Sequence, residues 1–309
     1  SVSQSLRMNY MEFWELTSLV AKGLMARGLK AGDRVGLCAP NRYEWAILQY
    51  ATARIGLVLV NINPAYRLEE LKYVINHSEM RMMIATLSFK KSNYKKMLKQ
   101  LEKHCRKLEQ KLFLEESWRE LLLMGAGISD VDLQKEEAKV QFDDAVNIQY
   151  TSGTTGFPKG VTLSHHNILN NGYFIGERLK YSEVDRVCIP VPLFHCFGMV
   201  IGNLACTSHG ATMVYPSESF NPIATLEAVV QERCTSLYGV PTMFIAELQL
   251  PNFESYDLSS LRTGVMAGSP CPVEIMKQVQ SKMFMKEVTI CYGMTETSPV
   301  STQTTIHAP

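Results

Sequence analysis

Eleven residues concentrate more ligand chemistry than any other stretch of the sequence: Tyr150-Thr151-Ser152-Gly153-Thr154-Thr155-Gly156-Phe157-Pro158-Lys159-Gly160. Four Ser/Thr hydroxyls, three glycines and one lysine stand together here. Glycine lets the backbone approach a ligand closely. Successive N–H groups and hydroxyls can surround phosphate oxygens, with Lys159 as a compensating point charge. The string is not a Walker A loop, because Gly156 stands three residues before Lys159 and Gly160, not Ser or Thr, follows it. On composition alone a surface Ser/Thr/Gly turn is the favoured reading.

Three further strings hold groups that could act on a ligand: Pro192-Leu193-Phe194-His195, Gly264-Val265-Met266-Ala267-Gly268-Ser269-Pro270 and Tyr292-Gly293-Met294-Thr295-Glu296. Taken singly, Glu296 is a solvated carboxylate, Tyr292 a core ring with a wet hydroxyl, and His195 either a catalytic or a hydrogen-bonded core histidine. The pair His165-His166 does not read as a metal site, since adjacent residues do not converge on one ion; Ser164 or a neighbour is expected to cap the helix that follows.

Taken together, and in this order, the strings resemble the signatures of the adenylate-forming superfamily, which includes acyl-CoA synthetases, luciferases and peptide-synthetase adenylation domains. Gly32-Asp33-Arg34-Val35, Pro40-Asn41 and Asn63-Pro64-Ala65-Tyr66 fit as well, so the resemblance runs from about Met8 to Pro309. With Tyr238-Gly239-Val240-Pro241-Thr242-Met243-Phe244 it is most similar to the medium-chain fatty acyl-CoA ligase branch. The resemblance implies ATP-driven activation of a carboxylate to an acyl-adenylate, then transfer to coenzyme A.

It also implies roles. Thr151, Ser152, Gly153, Thr154, Thr155, Gly156, Phe157, Pro158 and Lys159 would hold the β- and γ-phosphates. Tyr292 and Gly293 would lie at adenine, whose edge Gly268, Ser269 and Pro270 would shape. Thr295 would bond the α-phosphate, and Glu296 would anchor Mg²⁺ as a hard oxygen ligand. His195 would stand between adenylate and acyl chain. Lys159, His195, Thr295 and Glu296 are thus the expected catalytic set. Phe194, Val240, Met243, Met266 and Met294 are candidates for an apolar acyl pocket, though core packing explains each equally well.

The elements that must position these residues follow from periodicity. Met11 to Arg27 has helical spacing and ends at Gly28, a C-cap glycine. Strands are predicted at 34–39, 57–62, 81–85, 146–150, 161–163, 187–191, 211–215, 236–240, 261–266 and 288–292. Helices are predicted at 44–55, 68–76, 167–179, 223–233, 242–248 and 272–283, with Pro241 and Pro272 in first turns. This alternation predicts an α/β fold with a mostly parallel sheet. The resemblance makes it the large N-terminal domain of the acyl-CoA synthetase/luciferase-like fold, with stacked, mostly parallel sheets and flanking helices. Two α/β subdomains are expected, residues 1–145 and 146–309. The phosphate string is expected to connect two strands as a hairpin. Residues 124–144 read as a linker or surface excursion.

Residues 90–111 hold nine Lys/Arg against two Glu. Tyr94, Met97, Leu98, Leu101, Cys105, Leu108 and Leu112 make a helical stripe there, so an amphipathic helix with a solvated basic face is expected rather than a nucleic-acid surface. The whole chain carries 31 basic and 30 acidic residues, which leaves no global field for nucleic acid or membrane. The most apolar stretch, 45–62, is interrupted by Gln49, Arg54 and Gly56 and is too short to span a bilayer. Eight cysteines without CxxC spacing read as reduced thiols of an intracellular protein.

Members of the resembled family continue beyond the point where this chain stops, with a ribose-binding Asp, a hinge and a small domain bearing the adenylation lysine. A truncated ligase is therefore expected, lacking the C-terminal small domain. A noncatalytic ATP- or lipid-binding module and an enzyme adenylating aryl or amino acids are the alternatives. The branch resembled implies the mitochondrial matrix rather than the cytosol.

Overall fold

A computed structural model describes residues 1–151 and 158–307. The chain forms two compact units, residues 7–166 and residues 1–6 with 167–309.

In the unit of residues 7–166, α1 (Tyr10–Ala26) starts from a capping box between Asn9 and Glu12 and stops at Gly28, whose φ is +77°. Then follow β1 (Arg34–Cys38), α2 (Tyr43–Arg54), β2 (Val58–Asn61), α3 (Leu68–His77) and β3 (Met82–Ala85). A small hairpin, β4 (Ser88–Phe89) with β5 (Ser92–Asn93), leads into α4 (Tyr94–Leu101). The unit ends with β6 (Gln110–Phe113), α5 (Leu114–Ala126), α6 (Asp130–Glu137), β7 (Ala145–Thr151) and β8 (Lys159–Ser164). Its sheet has the order β6-β3-β1-β2-β7-β8, parallel except for β8, which runs antiparallel to β7 at the edge. β2 and β3 are wholly buried and β1 nearly so, and apart from Arg34 at the start of β1 and Asn61 at the end of β2 they are apolar, as suits strands covered on both faces.

The other unit contains α7 (His165–Leu179) from residue 167 on, β9 (Arg186–Cys188), a π-helix at Phe197–Leu204 running into α8 (Ala205–Thr207), β10 (Thr212–Val214) and α9 (Pro222–Glu232). After these come β11 (Ser236–Gly239), α10 (Pro241–Leu248), β12 (Thr263–Ala267), α11 (Val273–Lys282), β13 (Glu287–Gly293), a 3₁₀ turn at Thr295–Thr297 and β14 (Val300–Gln303). The sheet order is β10-β9-β11-β12-β13-β14, again parallel with one antiparallel edge strand, β14. Its core is built around Leu226, Val229, Leu237, Phe244, Met266, Val279 and Met283.

At the amino end of this second sheet a charge network ties the strands together. Arg262 bonds the carboxylate of Asp185 at 2.9 Å and that of Glu287 at 3.0 Å, and donates to the carbonyls of Leu179 and Lys180. These residues lead into β12, β9 and β13. The opposite, carboxyl edge is left free of this network.

Some expectations need correction. The chain divides after β8 rather than before β7, because β7 pairs with β2 and belongs to the first sheet. The apolar stripe at 94–112 is not one helix. α4 ends at Leu101, and Leu112 is a buried residue of strand β6. Residues 124–144 are not a bare linker but hold the end of α5 and all of α6. Pro272 caps α11 instead of standing in its first turn. The basic segment is a solvated face in part neutralised locally, by Lys95–Glu116, Lys107–Glu79 and Lys111–Glu102. All eight cysteines are free thiols. Among the described residues no helix is long and apolar enough to cross a membrane.

Candidate functional site

The described ends of the phosphate string lie on the paired strands β7 and β8. Thr151 pairs with Lys159 and Tyr150 with Gly160. The Tyr150 ring lies over Gly160, where an added Cβ would meet a ring carbon at 3.3 Å. Lys159 is exposed, and its side chain makes no ion pair or hydrogen bond among the described residues. Ser152, Gly153, Thr154, Thr155, Gly156 and Phe157 lie outside the described residues. Pro158 is inside, and its carbonyl accepts a hydrogen bond from the Tyr73 hydroxyl at 3.1 Å.

In the other unit the remaining strings follow the carboxyl ends of parallel, adjacent strands. Pro192 to Cys196 follows β9, Val240 follows β11, Gly268 to Pro270 follows β12, and Met294 to Glu296 follows β13. Parallel strands put all four connections on one edge, where ligands bind in open α/β sheets. Gly268 has φ +90°, and an added Cβ would also meet Val240 at 3.0 Å, so this turn requires glycine. Ser269 and Pro270 beside it are exposed.

His195 begins the turn into the π-helix. Its Nδ1 accepts the Phe197 backbone N–H at 3.1 Å, which fixes the neutral ring with its proton on Nε2. His195 is exposed, yet the protein packed near its ring still desolvates it and pushes its pKa down. Burial pushes the neighbouring Cys196 thiol up to about 12; a side-chain hydrogen bond with Thr295 opposes the rise and the charge of Glu296 adds to it. These influences put the His195 segment beside Thr295 and Glu296.

Tyr292 is 72% exposed at the end of β13, its ring presented and not buried. Thr295 is buried, at 8% exposure, while Glu296 is exposed and pairs with no cation among the described residues. Gly293 has a packing reason for being glycine. A Cβ there would lie 1.9 Å from the Pro299 carbonyl oxygen. Of the acyl-pocket candidates, Met266 belongs to the hydrophobic core, Phe194, Val240 and Met243 are half-buried, and Met294 is exposed.

Four residues that hold these segments have no signal in the sequence. Thr297 accepts the Met294 N–H at 3.1 Å and donates to a neighbouring carbonyl, closing the turn that carries Thr295 and Glu296. Asn171 on α7 bonds both polar groups of Val300, donating to its carbonyl at 2.9 Å and accepting its N–H at 3.1 Å. Tyr73 and His77, one helical turn apart on α3, reach the phosphate hairpin. Each is an ordinary polar residue on a helix or turn, and only the three-dimensional pairing distinguishes it.

The chain is 44% identical to the YngI protein of Bacillus subtilis (strain 168), across 97% of this chain and 58% of that one. It is 41% identical to the mitochondrial medium-chain acyl-CoA ligase ACSF2 of Danio rerio, across 97% of this chain and 53% of that one. It thus spans little more than half the length of these relatives. Among solved structures, ATP-bound MatB from Rhodopseudomonas palustris superposes with a TM-score of 0.82 at 27% identity, over 97% of this chain and 57% of that one. The fold is that of the N-terminal domains of acyl-CoA ligases. The AMP-binding enzyme family matches residues 2–309, and the chain belongs to that family.

Proposed function

We propose that the chain is the ATP-binding part of an AMP-forming fatty acyl-CoA ligase acting on medium-chain carboxylates. The observation that carries this reading is the gathering of His195, Gly268–Pro270 and Thr295–Glu296 on one carboxyl edge of the second sheet. The first step joins a carboxylate oxygen to the α-phosphorus of ATP and expels pyrophosphate. In the second, the thiol of coenzyme A attacks the acyl carbonyl, loses its proton and expels AMP. Both are served mainly by positioning and by stabilising charge on phosphate oxygens.

Lys159 and Thr151, with the intervening residues of the string, would take the β- and γ-phosphates. Tyr292 would stack on adenine, with Gly293 at its base, and Gly268, Ser269 and Pro270 would border the ring. Thr295 would bond the α-phosphate. The neutral His195 would offer its Nε2–H at the junction of adenylate and acyl chain. Glu296 fits Mg²⁺, being an exposed carboxylate with no cation on it among the described residues. Among the described residues no three His, Cys, Asp or Glu side chains form a metal cluster. One carboxylate with substrate phosphates and water is an ordinary Mg²⁺ arrangement. The compartment of the Danio rerio relative supports placing the protein in the mitochondrial matrix.

The test is carboxylate-dependent pyrophosphate release from ATP, across straight-chain, aromatic and amino acids. A preference for octanoate-length acids is expected, and a preference for aryl or amino acids overturns the substrate assignment. Lys159→Ala removes a charge-assisted hydrogen bond, so ATP affinity or turnover should fall roughly tenfold to a hundredfold. ATP binding unaffected by that substitution rejects the phosphate role. ATP binding without pyrophosphate release would point to a noncatalytic binding module.

A further inference from the structure

We propose that Tyr73 and His77 on α3 form a clasp that positions the phosphate hairpin and sets the aim of Thr151 and Lys159; this rests on the nucleotide-binding reading above. α3 is a firm base for such a clasp. Leu71, Val74 and Ile75 bury its other face in the core, and its amino end is fixed by the Glu70 carboxylate accepting the Arg67 N–H at 2.7 Å. Tyr73 and His77 are four residues apart, so they share one face of the helix. Their rings stack, with centroids 5.1 Å apart.

Both rings meet the edge or face of Tyr150, at 6.3 and 5.7 Å. His77 Nδ1 lies 2.9 Å from the Tyr150 hydroxyl, on the strand entering the string. The Tyr73 hydroxyl donates to the Pro158 carbonyl, on the segment leaving it. One helix thus holds both sides of the hairpin stem through polar bonds of defined direction. His77 is exposed, and Tyr73 and Tyr150 are half-buried against the adjoining core, so it is the two polar bonds that give the contact its direction. Thr151 directly follows Tyr150, and Lys159 directly follows Pro158. A change in either bond is therefore passed to the two described residues that flank the triphosphate position.

The clasp acts on the hairpin and not on the adenine side. It should therefore alter binding of ATP and leave AMP, which lacks the β- and γ-phosphates, unchanged. We would titrate ATP and AMP separately into the wild-type chain and into Tyr73→Phe, His77→Leu, His77→Gln and Lys159→Ala, recording melting temperatures alongside. Tyr73→Phe and His77→Leu should each weaken ATP roughly two- to tenfold, the value of one neutral hydrogen bond. AMP affinity and melting temperature should stay the same, and His77→Gln should recover much of the loss. ATP affinity unchanged in Tyr73→Phe and His77→Leu, with Lys159→Ala impaired, overturns the clasp alone. A parallel loss of ATP, AMP and thermal stability makes the pair merely structural and also overturns it. Failure of the wild type to bind ATP, or indifference of ATP to Lys159→Ala, instead brings down the nucleotide-binding reading and the clasp with it.

Discussion

Glu247 projects from α10 into the interior at 1% exposure, and neither carboxylate oxygen has a hydrogen-bond partner among the described residues. Desolvation raises the carboxyl's pKa well above its ordinary value. The folded state therefore holds a proton that the unfolded chain releases above about pH 4.5, near the ordinary glutamate value. By linkage, stability falls as pH rises from there toward the raised folded pKa. Glu247→Met removes both the unmade hydrogen bonds and the proton. It should stabilise the chain by about 1–3 kcal/mol, more at pH 8 than at pH 5. Urea unfolding at the two pH values measures this; equal or lower stability of the variant at pH 8 would contradict it. A buried carboxyl without a hydrogen-bond partner among the described residues is a local conflict that the proposed chemistry does not use.

At the scale of elements, the link between α7 and β14 decides how firmly the Thr295–Glu296 turn is held. The side-chain amide of Asn171 answers the Val300 peptide as a neighbouring strand would, with one bond given and one received. Asn171→Ala leaves both groups of that peptide without this partner and should cost about 1–3 kcal/mol. Asn171→Asp should not restore it, because a carboxylate can accept the Val300 N–H but repels its carbonyl. Chemical denaturation of the three forms checks this ordering, and an Asp variant as stable as wild type would refute it. The alternation of strands and helices was legible in the sequence because period-2 and period-3.6 runs are separated by Gly, Pro and Asn. The two signature strings were legible too, at the ends of strands. The π-helix at Phe197–Leu204 was not, since it is buried on every side and so carries no polar face to betray a period. Leu112 misled for a related reason: a residue at helical spacing from Leu101 can equally belong to a later strand. Tyr73, His77 and Asn171 were illegible because their partners are backbone carbonyls or residues far along the chain.

At the scale of the whole molecule, each signature string occupies the same place in its own sheet. Each joins the last parallel strand to an antiparallel edge strand, β7 to β8 in one unit and β13 to β14 in the other. In the second sheet residues 294–299 make this return at the carboxyl edge. The first of these sheets draws every strand from residues 7–166, and its core around Val60, Ile62, Leu71, Met83, Tyr94 and Leu98 lies within the same span. A segment of that length typically buries about 68–70% of its unfolded surface, enough for independent stability. Residues 7–166 expressed alone should therefore fold, with mixed helix and strand in far-UV circular dichroism and one cooperative urea transition of about 5–15 kcal/mol. The Arg54–Glu137 and Lys22–Asp130 pairs would persist in it, since both partners lie inside the span. A gradual, non-cooperative loss of signal would show instead that this sheet depends on residues outside 7–166, and that the division at His166 is one of contacts and not of folding.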